Sequence, residues 1–349
     1  MRYKLLGRSG LRVAEVALGT MTFGESWGWG AAKDESRAIY EAYVEAGGNF
    51  VDTACNYTDG ESERFVGEFI RSDRERLVVA TKYTLTQRRD DPNAGGNQRK
   101  NLVQTLEESL RRLGTDYVDL LWLHMWDGMT PVEEVMRGFD DLVSAGKVLY
   151  VGFSDTPAWV VGQAVMLADV RGWARPLAVQ FPYSLADRDA ERELLPMART
   201  LDLAATPWGI LEGGALTGKY LDETDGTRRY DSAGERVNAI AREVIAVAGE
   251  LGATPSQVAT AWVRAQPWPI VPIVGARSEA QMRENLEALA VELTDEHVER
   301  LSHAGGFSVG FPRDFLESDH VRGLIFGETF DLIDDHREQR AARPKAAVS

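Results

Sequence analysis

Four side chains in this sequence of 349 residues stand out for the chemistry that they could perform together: Asp52, Tyr57, Lys82 and His124. They offer a carboxylate, a phenol, an ammonium and an imidazole. A phenol is a poor acid at neutral pH, with an ordinary pKa of about 10. An ammonium beside it favours the phenolate and lowers that value. The carboxylate keeps the lysine charged and in place, and the imidazole can hydrogen-bond a substrate oxygen. Such a set suits protonation of an alkoxide as a carbonyl is reduced. Each residue taken alone has an ordinary alternative. Asp52 reads as a turn or cap residue, Lys82 as a solvated surface residue, and His124, between Leu123 and Met125, as a core histidine.

For the four to act together, the fold must gather residues 52 to 124 in one place. Short apolar, β-rich runs alternate with helix-period segments along the chain. Eight strand candidates are readable: Val16 to Leu18, Asn49 to Val51, Leu77 to Ala80, Val118 to Leu123, Val148 to Phe153, Leu177 to Val179, Leu203 to Thr206 and Pro269 to Val274. Most lead into a polar residue or glycine, among them Gly19-Thr20, Asp52, Lys82, His124, Ser154, Gln180 and Gly275. Asp34 can cap a helix that places Ile39, Tyr43 and Ala46 on one face and stops at Gly47-Gly48. Leu102, Leu106, Leu110 and Leu113 line another helix before Gly114. Eight strands with intervening helices imply an α/β fold, a closed (β/α)8 TIM barrel whose function sits at the C-terminal strand ends. An open Rossmann sheet would carry a Gly-x-Gly-x-x-Gly turn after a strand; the sequence has none, nor a Walker A loop.

Three segments fall outside the repeat. Residues 1 to 13, with the Ser9-Gly10 turn, read as a short N-terminal hairpin closing the barrel floor. Residues 212 to 232 read as a long loop. The barrel is expected over 1–304, followed by a C-terminal tail over 305–349. The first part of that tail carries apolar residues (Phe307, Phe311, Phe315, Leu324, Ile325, Phe326) that want a surface near the barrel mouth, and its end, from about His336, is expected to be mobile.

Composition bounds the rest. Charged residues are 27% and apolar residues 44%, as in ordinary globular proteins. A net charge of −15 argues against nucleic acid or an anionic membrane as the main partner. The single cysteine, Cys55, rules out an intrachain disulfide and any multi-thiolate metal site. It reads as a small buried residue or an oxidisable thiol. The five histidines show no metal-ligand spacing, so no metal is expected. The N-terminus lacks a signal-peptide apolar core, and no apolar run approaches the ~20 residues needed to cross a bilayer. A cytoplasmic protein with a small-molecule substrate is the expectation; the oligomeric state is not readable.

The segments NFVDTACNYTDGESERFVG, VVATKY, LLWLHMWD, VGFSDTPAW, TPWGILEGGALTGKY and PIVGARSEAQMRENLEAL resemble the successive motifs of the aldo-keto reductase superfamily. LGRSGLRVAEVALGTMTFG resembles its N-terminal block, and the similarity runs in order from about residue 1 to 300. The resemblance implies a barrel oxidoreductase that uses a nicotinamide cofactor without a Rossmann fold, reducing aldehydes or ketones to alcohols. The alternative is a cofactor-binding regulatory protein with little turnover. Asp52, Tyr57, Lys82 and His124 match the family's catalytic tetrad, with Tyr57 as general acid, Lys82 lowering its pKa, Asp52 paired with Lys82, and His124 orienting the substrate oxygen.

The resemblance also implies a cofactor cradle. Ser154, Asp155 and Gln180 match the residues that hold the carboxamide, and Trp208 the aromatic that stacks on the nicotinamide ring. Leu211, Gly213, Leu216 and Lys219 match the loop over the pyrophosphate. Gly275, Arg277, Ser278, Gln281, Glu284 and Asn285 match the adenosine end, and Gly19, Thr20 and Met21 the backbone contacts after the first strand. Arg277 can pair with a ribose 2′-phosphate, which favours NADPH (NADP+) over NADH. Ser278-x-x-Gln281 is also a capping box, and both readings can hold. Asp155, Gly209 and Glu212 depart from the family's common Asn, Ser and small residue. Glu212 would repel a pyrophosphate unless its side chain turns outward. Phe23, Trp27, Trp29, Tyr57, Tyr83, Trp126 and the Phe307/Phe311 region are candidate walls of an aromatic substrate pocket. Trp27-Gly28-Trp29-Gly30 reads as a mobile flap or as a packed loop.

Overall fold

A computed structural model describes residues 1–221 and 234–334. A hairpin of β1 (Tyr3–Leu5) and β2 (Arg12–Ala14) comes first, antiparallel with Lys4 opposite Val13. Eight parallel strands follow: β3 (Ala17–Gly19), β4 (Phe50–Asp52), β5 (Val78–Tyr83), β6 (Val118–Leu123), β7 (Val148–Ser154), β8 (Pro176–Gln180), β9 (Ala204–Ala205) and β10 (Ile273–Val274). They neighbour one another in chain order, and β10 pairs with β3. The segment leading into β10 also bonds to the β9 side, Ala205 N–H donating to Pro269 O and Val271 N–H to Ala205 O, each at 2.8 Å. These bonds close the (β/α)8 barrel. All eight strands coincide with the apolar runs read from the sequence.

Two apolar clusters follow from strand alternation, because successive side chains point to opposite faces. One fills the lumen and includes Phe50, Val78, Ala80, Leu120, Trp122, Ala178, Ala204 and Val271, with Leu6 and Val13 of the hairpin plugging the floor. The other lies between the barrel and its helices. The lumen phase has a consequence for the site. Phe50 points inward, so Asp52 does too; Ala80 leads to Lys82, Leu120 and Trp122 to His124, and Ala178 to Gln180. The polar residues are the top layer of the same inward rows whose lower layers are apolar.

The helices are α1 (Lys33–Glu45), α2 (Glu61–Ile70), α3 (Arg99–Leu113), α4 (Val132–Ser144), α5 (Ala158–Arg171), α6 (Leu194–Thr200), α7 (Glu235–Leu251), α8 (Pro255–Ala265), α9 (Glu279–Glu287), α10 (Asp295–His303), α11 (Arg313–Leu316) and α12 (Asp319–Phe326). In α3, Leu102, Leu106, Leu110 and Leu113 are buried as the period requires, and Gly114 ends the helix in a left-handed conformation. The cap of α1 differs from expectation. Ala32 is the N-cap, and Asp34 lies inside the first turn with no capping bond, where it can still complement the helix dipole.

The tail is only partly packed. The Phe307 ring lies under the guanidinium groups of Arg188 and Arg192, and Arg313 Nη1 donates to Glu191 O at 2.6 Å. This docks residues 307–313 on the loop after β8, at the C-terminal face. Phe311 is 84% exposed and Leu324 72% exposed, with Phe315 and Ile325 also in solvent, so the expected apolar covering stops at Phe307 and Val321. The expected loop beyond residue 221 and the expected mobile end from His336 lie outside the described residues.

Candidate active site

The four chemically notable residues meet at the top of the lumen. Lys82 is fully buried, and its ammonium donates to Asp52 Oδ2, to Thr53 O at 2.8 Å and to Tyr57 Oη at 3.1 Å. The second Asp52 oxygen accepts from Trp122 Nε1 at 2.9 Å and from Gln180 Nε2 at 3.3 Å. The His124 ring stands edge-on to the Tyr57 ring, with centroids 6.0 Å apart.

Tyr57 is not on a strand, and backbone strain fixes it. The chain after it runs through three successive left-handed residues, Thr58 (φ 44), Asp59 (φ 53) and Gly60 (φ 78). For a non-glycine residue this region costs roughly 1–2 kcal/mol. Thr58 offsets part of that cost: its hydroxyl donates to Phe23 O at 2.5 Å and accepts from Ser62 N–H at 3.1 Å. Thr84 after β5, Asp155 after β7 and Glu212 after β9 are left-handed as well, so strain gathers at this face of the barrel.

The electrostatics keep protons where an acid needs them. Burial lowers the Lys82 pKa, but Asp52 and Tyr57 more than restore it, so the net shift is upward and the side chain is an ammonium. Burial raises the Tyr57 pKa. Lys82 pulls it down as expected from the sequence, yet burial and the Asp52 charge win, so the phenol keeps its proton. Burial, helped by the Lys82 charge, holds His124 down at about 3. Its Nδ1 is buried without a partner, and an unmet N–H is costly, so the proton is assigned to Nε2.

His124 also makes a prediction about acid stability. Its folded pKa of about 3 lies below the ordinary value of 6.5. The unfolded chain therefore binds a proton that the fold refuses, and His124 costs stability as pH falls from the unfolded value toward the folded one. Urea midpoints of wild type and His124→Gln should shift in the variant's favour between neutral and acidic pH. A gap that does not change with pH would contradict a neutral buried imidazole.

Trp122 and Gly152 were not singled out by sequence reasoning, though Trp122 lies in the same inward row as His124. Gly152 lies beside Trp122 on the neighbouring strand β7, and a Cβ there would run into the indole ring. Gly152→Ala should therefore displace Trp122 from Asp52 and cost ~1–3 kcal/mol by overpacking. Urea denaturation checks this; unchanged stability would mean that the ring has room to move. Also missed was the clamp under His124. Asn97 and Asp127 exchange backbone-to-side-chain bonds of 2.7 Å, Asn97 Nδ2 donates to Thr84 Oγ1, and that hydroxyl lies 3.2 Å from the His124 backbone N–H.

Around this centre lie the residues expected to cradle a cofactor. Ser154 Oγ is buried and has no partner, a polar atom awaiting one. Asp155 N–H donates to Gln180 O at 3.0 Å, and Asp155 Oδ1 accepts from Trp208 Nε1 at 3.3 Å. Burial raises the Asp155 carboxyl pKa, with the Trp208 N–H and Lys82 offsetting part of it. Trp208 is 40% exposed, an open indole at the rim. Gly209 (φ 71), Gly213 (φ 58) and Gly214 (φ 85) need left-handed backbone, so Gly209 is fixed by conformation where a serine was the family expectation. Glu212 Oε2 accepts from Ser184 Oγ at 3.2 Å. Leu211 and Lys219 are half-buried, whereas Leu216 is core and offers backbone only.

At β3, Gly19 and Met21 are half-exposed, while Thr20 is locked by its hydroxyl bond to Asp52 O at 3.1 Å. Beyond β10, Asn285 Nδ2 donates to Gly275 O at 3.1 Å, and Arg277 is exposed. Ser278 caps α9 by accepting from Gln281 N–H, but the Gln281 side chain accepts from Arg277 N–H at 2.9 Å, so the reciprocal box is shifted by one residue. Glu284 is committed to the start of α8, accepting from Thr254 Oγ1 at 2.9 Å and Ser256 Oγ at 2.7 Å.

The expected aromatic walls divide. Phe23 and Tyr83 are fully enclosed, Phe23 edge-on to Phe69 and Tyr83 edge-on to Phe139, so they are core residues and not pocket walls. Their side chains point away from the lumen, into the layer under the helices. Trp27 and Trp29 pack on each other 5.8 Å apart in a loop closed by Gly24 N–H to Ala31 O and Ala31 N–H to Thr22 O. Trp126 is half-buried, its N–H 3.4 Å from Asp155 O. Cys55 is buried, and burial pushes its thiol up to about 12, which makes it a packed, unreactive residue. No cluster that could hold a metal ion is present among the described residues.

Comparison with known proteins shows the family of the chain. A family model described as Aldo/keto reductase family matches residues 15–305. A norsolorinic acid reductase of Emericella nidulans is 38% identical over 318 residues, 88% of this chain and 82% of that one. A putative aryl-alcohol dehydrogenase of Saccharomyces cerevisiae is 34% identical over 339 residues, 91% of this chain and 90% of that one. An aryl-alcohol dehydrogenase of Pestalotiopsis microspora is 37% identical over 329 residues, covering 90% and 85% respectively.

Proposed function

The chain belongs to the aldo/keto reductase family of barrel oxidoreductases, and on that premise we propose that it is an NADPH-dependent reductase of aromatic aldehydes and ketones. The observation that carries the reading is the buried Lys82, bonded at once to Asp52 and Tyr57, with His124 beside the phenol. The aromatic substrate class is supported by the packed Trp27–Trp29 pair, of which Trp29 is exposed, by Trp126, and by the names of the similar aryl-alcohol dehydrogenases.

The residues present suit the cofactor. The unpartnered Ser154 Oγ and the Gln180 amide would hold the carboxamide, Trp208 would cover the ring, and the left-handed glycines would let backbone approach the pyrophosphate. Arg277, exposed beside the start of α9, would take the 2′-phosphate. When bound, the reduced nicotinamide supplies a hydride. His124 Nε2–H orients the substrate oxygen, and Tyr57 Oη gives its proton to that oxygen as charge develops. The resulting phenolate is held by the Lys82 ammonium, and Asp52, fixed by Trp122, keeps that ammonium in place.

Titration of the protein with NADPH and NADH, then addition of an aromatic aldehyde, tests the reading by loss of reduced-nicotinamide absorbance. Failure to bind either cofactor would refute it. Arg277→Ala should weaken NADPH by ~1.5–3 kcal/mol, the worth of a hydrogen bond to a charged group, and leave NADH nearly unchanged. Equal loss for both cofactors would remove the 2′-phosphate assignment.

A further inference from the structure

Asp155 is a largely buried carboxylate to which the scheme above gives no task. It belongs to no ion pair among the described residues; its side-chain partner is the Trp208 indole N–H. It follows Ser154, bonds through its backbone to Gln180 O and is bonded by Trp126 N–H, and its φ of 41 fixes it in the left-handed region. It is thus seated among Ser154, Gln180 and Trp208, the residues assigned to the nicotinamide end. The nearby ammonium of Lys82 already has Asp52 as its counter-ion. Asp155 therefore brings an unmatched negative charge to this part of the site.

We propose that Asp155 makes the site prefer the oxidised, cationic nicotinamide over the reduced, neutral one, so that the bound reduced form is a stronger hydride donor than it is in water. The inference rests on the nicotinamide reading above. The two forms differ by one positive charge on the ring, and a fixed carboxylate in a partly desolvated site discriminates between them by Coulomb attraction. Preference in binding and shift in potential are the same free energy. A tenfold preference lowers the potential of a two-electron couple by about 30 mV.

Calorimetric titration of wild type and Asp155→Asn with NADP+ and with NADPH, at about pH 8 where carboxylates are ionised, tests this directly. Asn keeps an oxygen for the Trp208 N–H and tolerates the left-handed backbone, so the change removes charge and little else. The ratio of Kd for NADP+ to Kd for NADPH should rise about tenfold, mainly through weaker NADP+, the scale expected for a charge a few ångströms away at intermediate dielectric. Asp155→Ser, which also lacks the charge, should move the ratio in the same direction. Parallel changes in both affinities would mean that Asp155 merely seats Trp208, and would overturn the proposal. A shift in only one of the two variants would overturn it as well. Binding of neither form by the wild type would refute the nicotinamide reading itself, and the inference with it.

Discussion

Tyr57→Phe is expected to lower turnover by roughly 10²–10⁴-fold, the usual worth of a positioned acid, while NADPH binding persists. The variant keeps the ring beside His124 and under the Lys82 ammonium, which lies 4.8 Å from the ring centre. It loses only the Oη that Lys82 reaches at 3.1 Å. Packing is therefore retained, and the loss falls on kcat. Steady-state kinetics with an aromatic aldehyde, beside a cofactor titration, separates the two effects. Turnover near wild type would remove Tyr57 as the proton donor and leave His124 as the group to test next.

Lys82→Met should cost both stability and activity. In the wild type, Asp52 is buried with its charge met by Lys82 and its second oxygen met by Trp122. Removing one partner of a buried pair strands the other, at a cost of roughly 3–5 kcal/mol. The double variant Asp52→Asn/Lys82→Met no longer buries an unmatched charge, so it should recover much of the stability and none of the turnover. Urea denaturation of both variants, with kinetics on the double, checks the pair. If the double variant is as unstable as the single, the loss comes from packing of the lysine stem and not from the stranded carboxylate. If Lys82→Met turns over normally, the phenolate needs no ammonium and the scheme fails.

Much of this arrangement was legible in the chain because a parallel barrel writes its plan in short apolar runs that stop at the business end. Each of the eight strands was readable, and Asp52, Lys82, His124, Ser154 and Gln180 stood at or next to their ends. What the pattern did not tell was facing. Tyr83 follows Lys82 directly on β5, yet it points into the layer under the helices, because neighbours in an extended chain face opposite ways; Phe23, in the turn after β3, is buried in the same layer. Nor did composition reveal partners far apart in sequence. Trp122 reaches Asp52 only because Gly152, from a third strand, leaves the space. Gly60 announces a turn after Tyr57, but nothing in the residue types marks Thr58 and Asp59 before it as left-handed too. Burial of the phenol was also unreadable, and it reverses the expected direction of its pKa.

The way the ring closes has a consequence for how the chain must be made. Residues 269–274 bond to β9 on one side and to β3 on the other. Until that stretch leaves the ribosome, β3 waits with one edge unpaired although it was among the first segments synthesised, and β9 waits likewise. Exposed strand edges recruit other chains. Fragments that end before residue 269 are therefore prone to aggregate and do not make a smaller working enzyme. The nascent chain must be shielded over nearly its whole length, because the strand that seals the barrel comes among the last.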